Sequence, residues 1–415
     1  MMSRNQSQIM DYGRIDFSGV GWEAAGHGAS IRLLRKVLSR LQAGRIAVET
    51  PSGDRVSYTA TEPGPEAVVI LHSWATIRRL LAGGGVGFAE AYMDGDWSSP
   101  DLTALLELAA LNVGSLQPAI AGSHFLRALN RLRHLRCANT RRGSRRNIAS
   151  HYDLGNEFYR EWLDTGMSYS SAWYESKTQS LEQAQDAKQN LAIDRLGLSG
   201  GESVLEIGCG WGGLAEKMVD RGAAHVTGLS LSAAQLEYAR ARLDRAGMAG
   251  KTDMRFQDYR DVQGQFDRIV SIEMLEAVGR EYWSTYFDTI RDRLKPGGTA
   301  VIQVITIAEA RFQSYCRGVD FIQRYIFTGG MLPSDTVVRN EIARAGLSLK
   351  SVETFGQSYA LTLAEWKRRF HDAWSSIQTY GFDTRFKRMW EYYLSYCEAG
   401  FRSGTLDVGL YTLTR

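Results

Sequence analysis

The stretch Glu202-Ser203-Val204-Leu205-Glu206-Ile207-Gly208-Cys209-Gly210-Trp211-Gly212-Gly213 constrains this chain more than any other. An apolar strand runs there directly into a glycine-rich turn, and the residues from Leu214 to about Val219 read as a helix. Glycines at such a turn let the backbone approach a ligand closely at the carboxyl edge of a parallel strand. The pattern therefore predicts an α/β fold with a mostly parallel sheet and a nucleotide-like ligand at the turn. A dinucleotide fold also needs an acidic residue about 20 positions on to hold a ribose. The next strand, His225 to Ser230, has none, which counts against NAD.

Segments further along the chain narrow the class. Arg255 to Asp261 reads as a short strand ending in polar residues, Phe266 to Ser271 as an apolar strand, and Asp292 to Gly298 as a turn before the strand Thr299 to Ile307. This order resembles the class I methyltransferases, which use S-adenosylmethionine on a Rossmann-like, mostly parallel seven-stranded sheet. The segments His151-Tyr152-Asp153-Leu154-Gly155-Asn156, Met167 to Ala172, Ile207 to Gly213, Leu229 to Gln235, Gln257 to Arg260, Glu273 to Gly279 and Tyr325 to Ser334 then resemble, in order, the cyclopropane-fatty-acid synthase family. A looser similarity at Glu90 to Trp97 extends it toward the N-terminus.

The resemblance implies that the alkene of an unsaturated acyl chain, esterified in a phospholipid, attacks the methyl group of S-adenosylmethionine. The resulting cation loses a proton and closes to a cyclopropane. It also implies a bound bicarbonate as the base, held by a cysteine, a glutamate, a histidine and a tyrosine. Carried over by position these are Ser171, Glu276, Gln303 and Tyr359, so serine and glutamine replace the cysteine and the histidine, and Ala277 replaces a histidine that often follows the glutamate. Serine, glutamine and tyrosine still donate hydrogen bonds, and a weaker base would turn the cation toward a methylene or methyl-branched product. For the cofactor, the matching positions are Tyr169 and Ser170, Glu206, Gly208, Gly210 and Gly212, Ser230 and Gln235, and Asp258 with Tyr259. The family also directs attention to Cys397, which lies on an aromatic helical stripe where a buried structural thiol is the simpler reading. Tyr169, Trp173, Tyr325, Phe327, Tyr359, Trp366, Phe370 and Trp374 supply aromatic faces near the motifs. Two other readings stay open: a methyltransferase of the same fold acting on a small soluble acceptor, and a lipid-binding protein that has lost catalysis.

The rest of the chain carries no chemical motif. Residues 1–113 read as a small α+β accessory domain that could engage lipid: a basic amphipathic helix from Ser30 to Gly44, a hairpin of Ile46 to Glu49 with Val56 to Thr59, a buried strand from Ala67 to Leu71, and helices at Trp74 to Leu81, Val86 to Met93 and Leu102 to Leu111. Residues 114–150 form a connector, and 151–415 the catalytic domain, with capping helices around Leu361 to Phe401. Net charge locates a partner. The 49 basic and 46 acidic residues give +3, yet eight arginines (Arg127, Arg131, Arg133, Arg136, Arg141, Arg142, Arg145 and Arg146) crowd a connector without Asp or Glu. The remaining 41 basic against 46 acidic residues carry −5. No Phe, Tyr or Trp is interleaved with these arginines, which disfavours nucleic acid. Anionic phospholipid is the expected partner surface, an unsaturated acyl lipid the substrate, and a homodimer an open possibility of assembly. Cys137, Cys209, Cys316 and Cys397 are too scattered for a zinc site, and no run approaches the length of a membrane span. The expectation is a metal-free cytoplasmic enzyme, peripheral at the inner membrane surface.

Overall fold

The computed structural model describes residues 22–24, 29–120, 140, 143–144 and 154–415. The eight connector arginines, Cys137 and His151 to Asp153 lie outside them.

Two sheets organise the described chain. The N-terminal sheet holds β1 (Trp22–Ala24), β2 (Ala43–Glu49), β3 (Arg55–Thr59), β4 (Glu62–Leu71) and β5 (Trp97–Ser98), in the order β1-β3-β2-β4-β5. The expected hairpin is the antiparallel β2–β3 pair, while β2 and β4 run parallel. The first helix, Ala29–Leu38, is shorter than expected. Asn112 accounts for this, because its Oδ1 accepts the Gln42 and Ala43 N–H groups at 2.7 and 3.0 Å and ties the chain there at the start of β2. Gly44, expected at the helix end, is instead in β2 at φ 83°, where a Cβ would lie 2.6 Å from the Pro65 carbonyl. The two expected helices around Gly83 to Gly85 form one element, Ala75–Met93, broken at Gly84 (φ 61°, ψ −145°).

The larger sheet holds β6 (Ser203–Ile207), β7 (His225–Ser230), β8 (Thr252–Phe256), β9 (Phe266–Ile272), β10 (Leu294–Ile307), β11 (Ser348–Thr354) and β12 (Leu406–Thr414). Their order is β11-β12-β10-β9-β6-β7-β8, parallel from β10 to β8, with β12 antiparallel to both its neighbours. This is the α/β architecture the glycine turn predicts. Val204, Leu205, Ile269, Val270, Val301 and Ile302 are fully buried, as strands covered on both faces must be. The carboxyl ends of β6, β7, β9 and β10 share one edge, and every candidate catalytic motif on these strands is delivered there.

The helix Thr384–Arg402 joins the two halves. One side carries Trp390, Tyr393 and Leu394 into an aromatic core with Phe158, Trp162 and Trp366. Its polar positions reach the N-terminal helices: Tyr92 donates to Glu391 at 3.1 Å, and Arg385 pairs with Asp94 at 2.9 Å. Glu398, only 1% exposed, accepts from Thr103 at 3.0 Å, Lys367 at 2.7 Å and Arg402 at 2.5 Å. A buried carboxylate is tolerable only when so paired.

Candidate active site

The glycine turn after β6 builds one wall of a cleft of about 140 Å³ whose lining carries several polar side chains, here called the polar cleft. Gly208 has φ 87°, and a Cβ there would meet the Met274 side chain at 2.5 Å, so only glycine fits. Of the expected cofactor residues, Tyr169, Ser170, Glu206, Gly208, Gly210, Ser230, Gln235 and Tyr259 line this cleft. Gly212 does not. It packs its backbone against Ala239 as the residue before the helix Gly213–Asp220, and Gly213 takes the lining position. Asp258 is likewise withdrawn: its buried carboxylate is paired with Arg260 at 2.7 Å, and Gln257 lines the cleft in its place. Ser230 donates to Gln235 at 3.0 Å.

One lysine in the cleft escaped the sequence reading. Lys188, on the helix Leu181–Leu196, is 4% exposed and donates to Ser170 Oγ at 2.8 Å. Burial pulls its ammonium down to about 8, against the attraction of Glu273, Asp164 and Glu206. Burial pushes Glu206 up to about 8, with Lys188 opposing, and Glu206 Oε2 has no hydrogen-bond partner. Only its place on the buried face of an otherwise polar helix marked Lys188 in the sequence.

The main correction concerns the carboxylate. The residues carried over for an anion, Ser171, Gln303 and Tyr359, do come together, but around Glu273 rather than Glu276. Glu273 Oε1 accepts from the Ser171 N–H at 2.8 Å and from Gln303 Nε2 at 2.7 Å, and Oε2 accepts from the Tyr359 hydroxyl at 2.7 Å. The Ser171 hydroxyl itself turns to the Ala172 carbonyl. A protein carboxylate thus occupies the point at which these donors would converge on bicarbonate, so bicarbonate does not fit this arrangement. Glu276 sits in the short helix Leu275–Val278 and accepts the Ile305 N–H, with its other oxygen unpartnered. The backbone decides between the two acids. Glu273 has φ 52°, a left-handed conformation costly for a residue with a side chain, at the carboxyl end of β9. Burial raises the Glu273 carboxyl, and Ser171, Tyr359, Lys188 and Gln303 pull it back. Glu276 is pushed up to about 8 by burial and by repulsion from Glu273.

A second, much larger cavity of about 780 Å³ opens from the other side of Glu273. Catalytic-domain residues Ile305, Ile307, Phe327, Tyr359, Tyr393 and Phe401 line part of it. Leu34, Leu38, Val48, Val69, Leu71 and Leu105 of the N-terminal helices and sheet line the rest. The small polar cleft and the large apolar cavity share Tyr169, Glu273 and Met274. Of the expected aromatics, Tyr169, Phe327 and Tyr359 face the cavity. Trp173, Tyr325, Trp366, Phe370 and Trp374 do not line it, and Trp366 and Phe370 are fully buried in the core. Cys397 lines the cavity wall, where burial raises its thiol far above the ordinary range. Such a thiol stays protonated, which counts against a nucleophile.

Comparison with known proteins shows the family. Residues 139–410 match the family model for mycolic acid cyclopropane synthetase. The chain is 38% identical over 404 residues to a tuberculostearic acid methyltransferase of Mycobacterium tuberculosis, covering 94% of this chain and 92% of that one. It is 35% identical over 334 residues to the cyclopropane-fatty-acyl-phospholipid synthase of Escherichia coli, covering 80% and 83%. Among solved structures, a mycolic acid cyclopropane synthase complexed with SAH and CTAB superposes with a TM-score of 0.61 at 28% identity, covering 65% of this chain and 98% of that one. With the matched family model spanning more than half of it, this chain belongs to the mycolic acid cyclopropane synthetase family and is an S-adenosylmethionine-dependent methyltransferase.

Proposed function

We propose that the chain transfers a methyl group to the double bond of an unsaturated acyl chain of a phospholipid, and that Glu273 is the base. The observation that carries this reading is the meeting of the polar cleft and the apolar cavity at Tyr169, Glu273 and Met274. The cleft suits the cofactor: the unpartnered Glu206 Oε2 would receive its ammonium group, beside the backbone of Gly208 and Gly210. S-adenosylmethionine, when bound, supplies a methyl group on a positively charged sulfur.

The chain's own residues do the rest. The apolar cavity excludes water from a cation, and the π faces of Tyr169, Phe327, Tyr359 and Tyr393 attract positive charge. The alkene's π pair would form the new carbon–carbon bond as the methyl–sulfur bond breaks and its pair returns to a neutral thioether, leaving a cation on the neighbouring carbon. Loss of a proton from the new methyl to Glu273 closes a ring. A hydride shift from the methyl-bearing carbon, followed by loss of a proton from the same methyl, gives an exocyclic methylene. Burial raises the Glu273 carboxyl and Lys188 only partly offsets this, but three hydrogen bonds occupy its lone pairs, and freeing one to take the proton slows proton removal and favours the methylene branch. The relative aligned along nearly the whole chain, named a tuberculostearic acid methyltransferase, supports the branched product. The Escherichia coli relative supports cyclopropane as the second reading. A large apolar cavity weighs against a small polar acceptor, and a fully hydrogen-bonded Glu273 against a protein without catalysis.

The test is purified protein with S-adenosylmethionine and monounsaturated phospholipid vesicles. Mass spectrometry should find acyl chains one carbon heavier, and proton NMR then separates an exocyclic alkene from a ring. Unmodified chains from protein that binds the cofactor would overturn the reading. No helix among the described residues is long and apolar enough to cross a membrane. We place the enzyme in the cytoplasm, held to the inner membrane surface by the connector arginines, and raised salt should release it from anionic vesicles.

A further inference from the structure

Five charged side chains line the large cavity: Glu273, Glu276, Asp320, Arg311 and Arg317. The three acids are engaged inside the protein. Glu273 holds its three donors, Glu276 takes the Ile305 N–H, and Asp320 accepts from the Gln323 N–H at 2.9 Å and the Tyr396 hydroxyl at 3.3 Å. The two arginines differ. Neither guanidinium has an ion-pair or hydrogen-bond partner among the described residues. Arg311 feels Asp320 only at a distance, where its field slightly offsets the burial that raises the Asp320 carboxyl. Arg317 is exposed and Arg311 half-buried, so they mark the rim where the apolar lining gives way to solvent.

We propose that Arg311 and Arg317 form a phosphate site at the mouth of the cavity, holding the phosphodiester of the phospholipid whose acyl chain lies within. This inference rests on the acyl-chain reading above and names the headgroup chemistry that goes with it. An apolar cavity whose rim carries unneutralised guanidinium groups fits an amphiphile with an anionic head, and the planar guanidinium fork matches phosphate oxygens. Position along the chain adds a length. Gln303 touches Glu273, and β10 then runs four residues to Ile307, about 13 Å at the ordinary strand rise. The helix Glu309–Tyr315, carrying Arg311, begins two residues later, and Arg317 follows its end. A phosphate held there places the middle of an acyl chain, rather than its carboxyl end, at Glu273. The rest of the chain then has the N-terminal apolar lining to enter.

The experiment compares dioleoylphosphatidylglycerol with dioleoylglycerol, each in the same neutral detergent micelles, for wild type, R311Q, R317Q and the double variant. The readout is the ratio of kcat/KM on the phospholipid to kcat/KM on the diacylglycerol. Calorimetric S-adenosylmethionine binding at the wild-type affinity shows that each variant is folded. The ratio should fall roughly tenfold for R311Q, less for R317Q, and most for the double variant. An unchanged ratio in the double variant overturns the headgroup site while leaving the acyl reading intact. Wild-type protein that modifies neither lipid overturns the acyl reading, and this inference with it. Inorganic phosphate at matched ionic strength tests the other source of the same chemistry. Strong inhibition of the diacylglycerol reaction by phosphate, lost in R311Q, would make this a free-phosphate site and overturn the lipid assignment.

Discussion

The two cavities that meet at Glu273 are built by opposite means. The polar cleft comes from short contiguous motifs: one glycine turn, one Tyr-Ser pair, one strand end. The apolar cavity comes from residues scattered between Leu34 and Leu406, in two sheets and many helices. A polar site must place particular donors and strained turns, and those leave a signature. A cavity for an acyl chain is lined by the same Leu, Val and Phe that fill any core, and differs from a core only in not being filled.

The largest test of this contrast sits at the junction. Glu273→Gln keeps the shape of the site but removes the proposed base, and kcat should fall by about a hundredfold or more. Glu276→Gln, by comparison, replaces an already protonated acid and should cost little activity. Equal losses in steady-state assays would break the distinction between the two carboxylates. Next in size is Gly208→Val, which forces a branched residue into a left-handed conformation against Met274. Isothermal calorimetry should show S-adenosylmethionine affinity reduced by about tenfold or more, with the acyl cavity untouched.

Filling the other cavity should leave cofactor binding alone. Leu105→Trp, on the N-terminal helix Leu102–Leu111, should raise KM for long acyl chains more than for short ones. If it weakens cofactor binding instead, the two cavities are not independent. A smaller effect is expected from pH. The folded state keeps a proton on Glu276 up to about 8, which the unfolded chain releases near the ordinary carboxylate range. Its contribution is therefore favourable at low pH and is lost as pH rises through that window. Between pH 5 and 8 the melting temperature of Glu276→Gln should fall less than that of wild type, a difference that isolates this one group. Smallest of all, Cys397→Ser should keep kcat/KM near the wild-type value, because the thiol is protonated wall material.

The sequence made the sheet and most of the small cleft's lining legible because each rests on local rules. The glycines of 208–213, the apolar strands and the polar residues at strand ends can all be read without knowing what lies opposite. The carboxylate was not legible. Glu273 and Glu276 lie three residues apart in one motif, and matching by position selects Glu276. Which acid meets Ser171, Gln303 and Tyr359 depends on a left-handed turn at residue 273, and no spacing rule reports it. Lys188 was hidden for a related reason: its spacing of four from Ala184 and Ala192 puts it on the buried stripe, but nothing in the sequence says what lies opposite. Which N-terminal residues line the cavity was not legible, because the stripe that faces a cavity has the same period as one that faces a core.

The helix Thr384–Arg402 also bears on how the enzyme can be divided. It packs on the catalytic core with its aromatic residues and anchors the N-terminal helices through Glu391 and Glu398. Cutting the chain before residue 139 would strip Thr103 and Tyr92 from those carboxylates and open the apolar lining to water. A fragment that spans only the matched family region would therefore expose an adhesive face and self-associate. Modular as the chain looks in one dimension, its two halves are obligate companions.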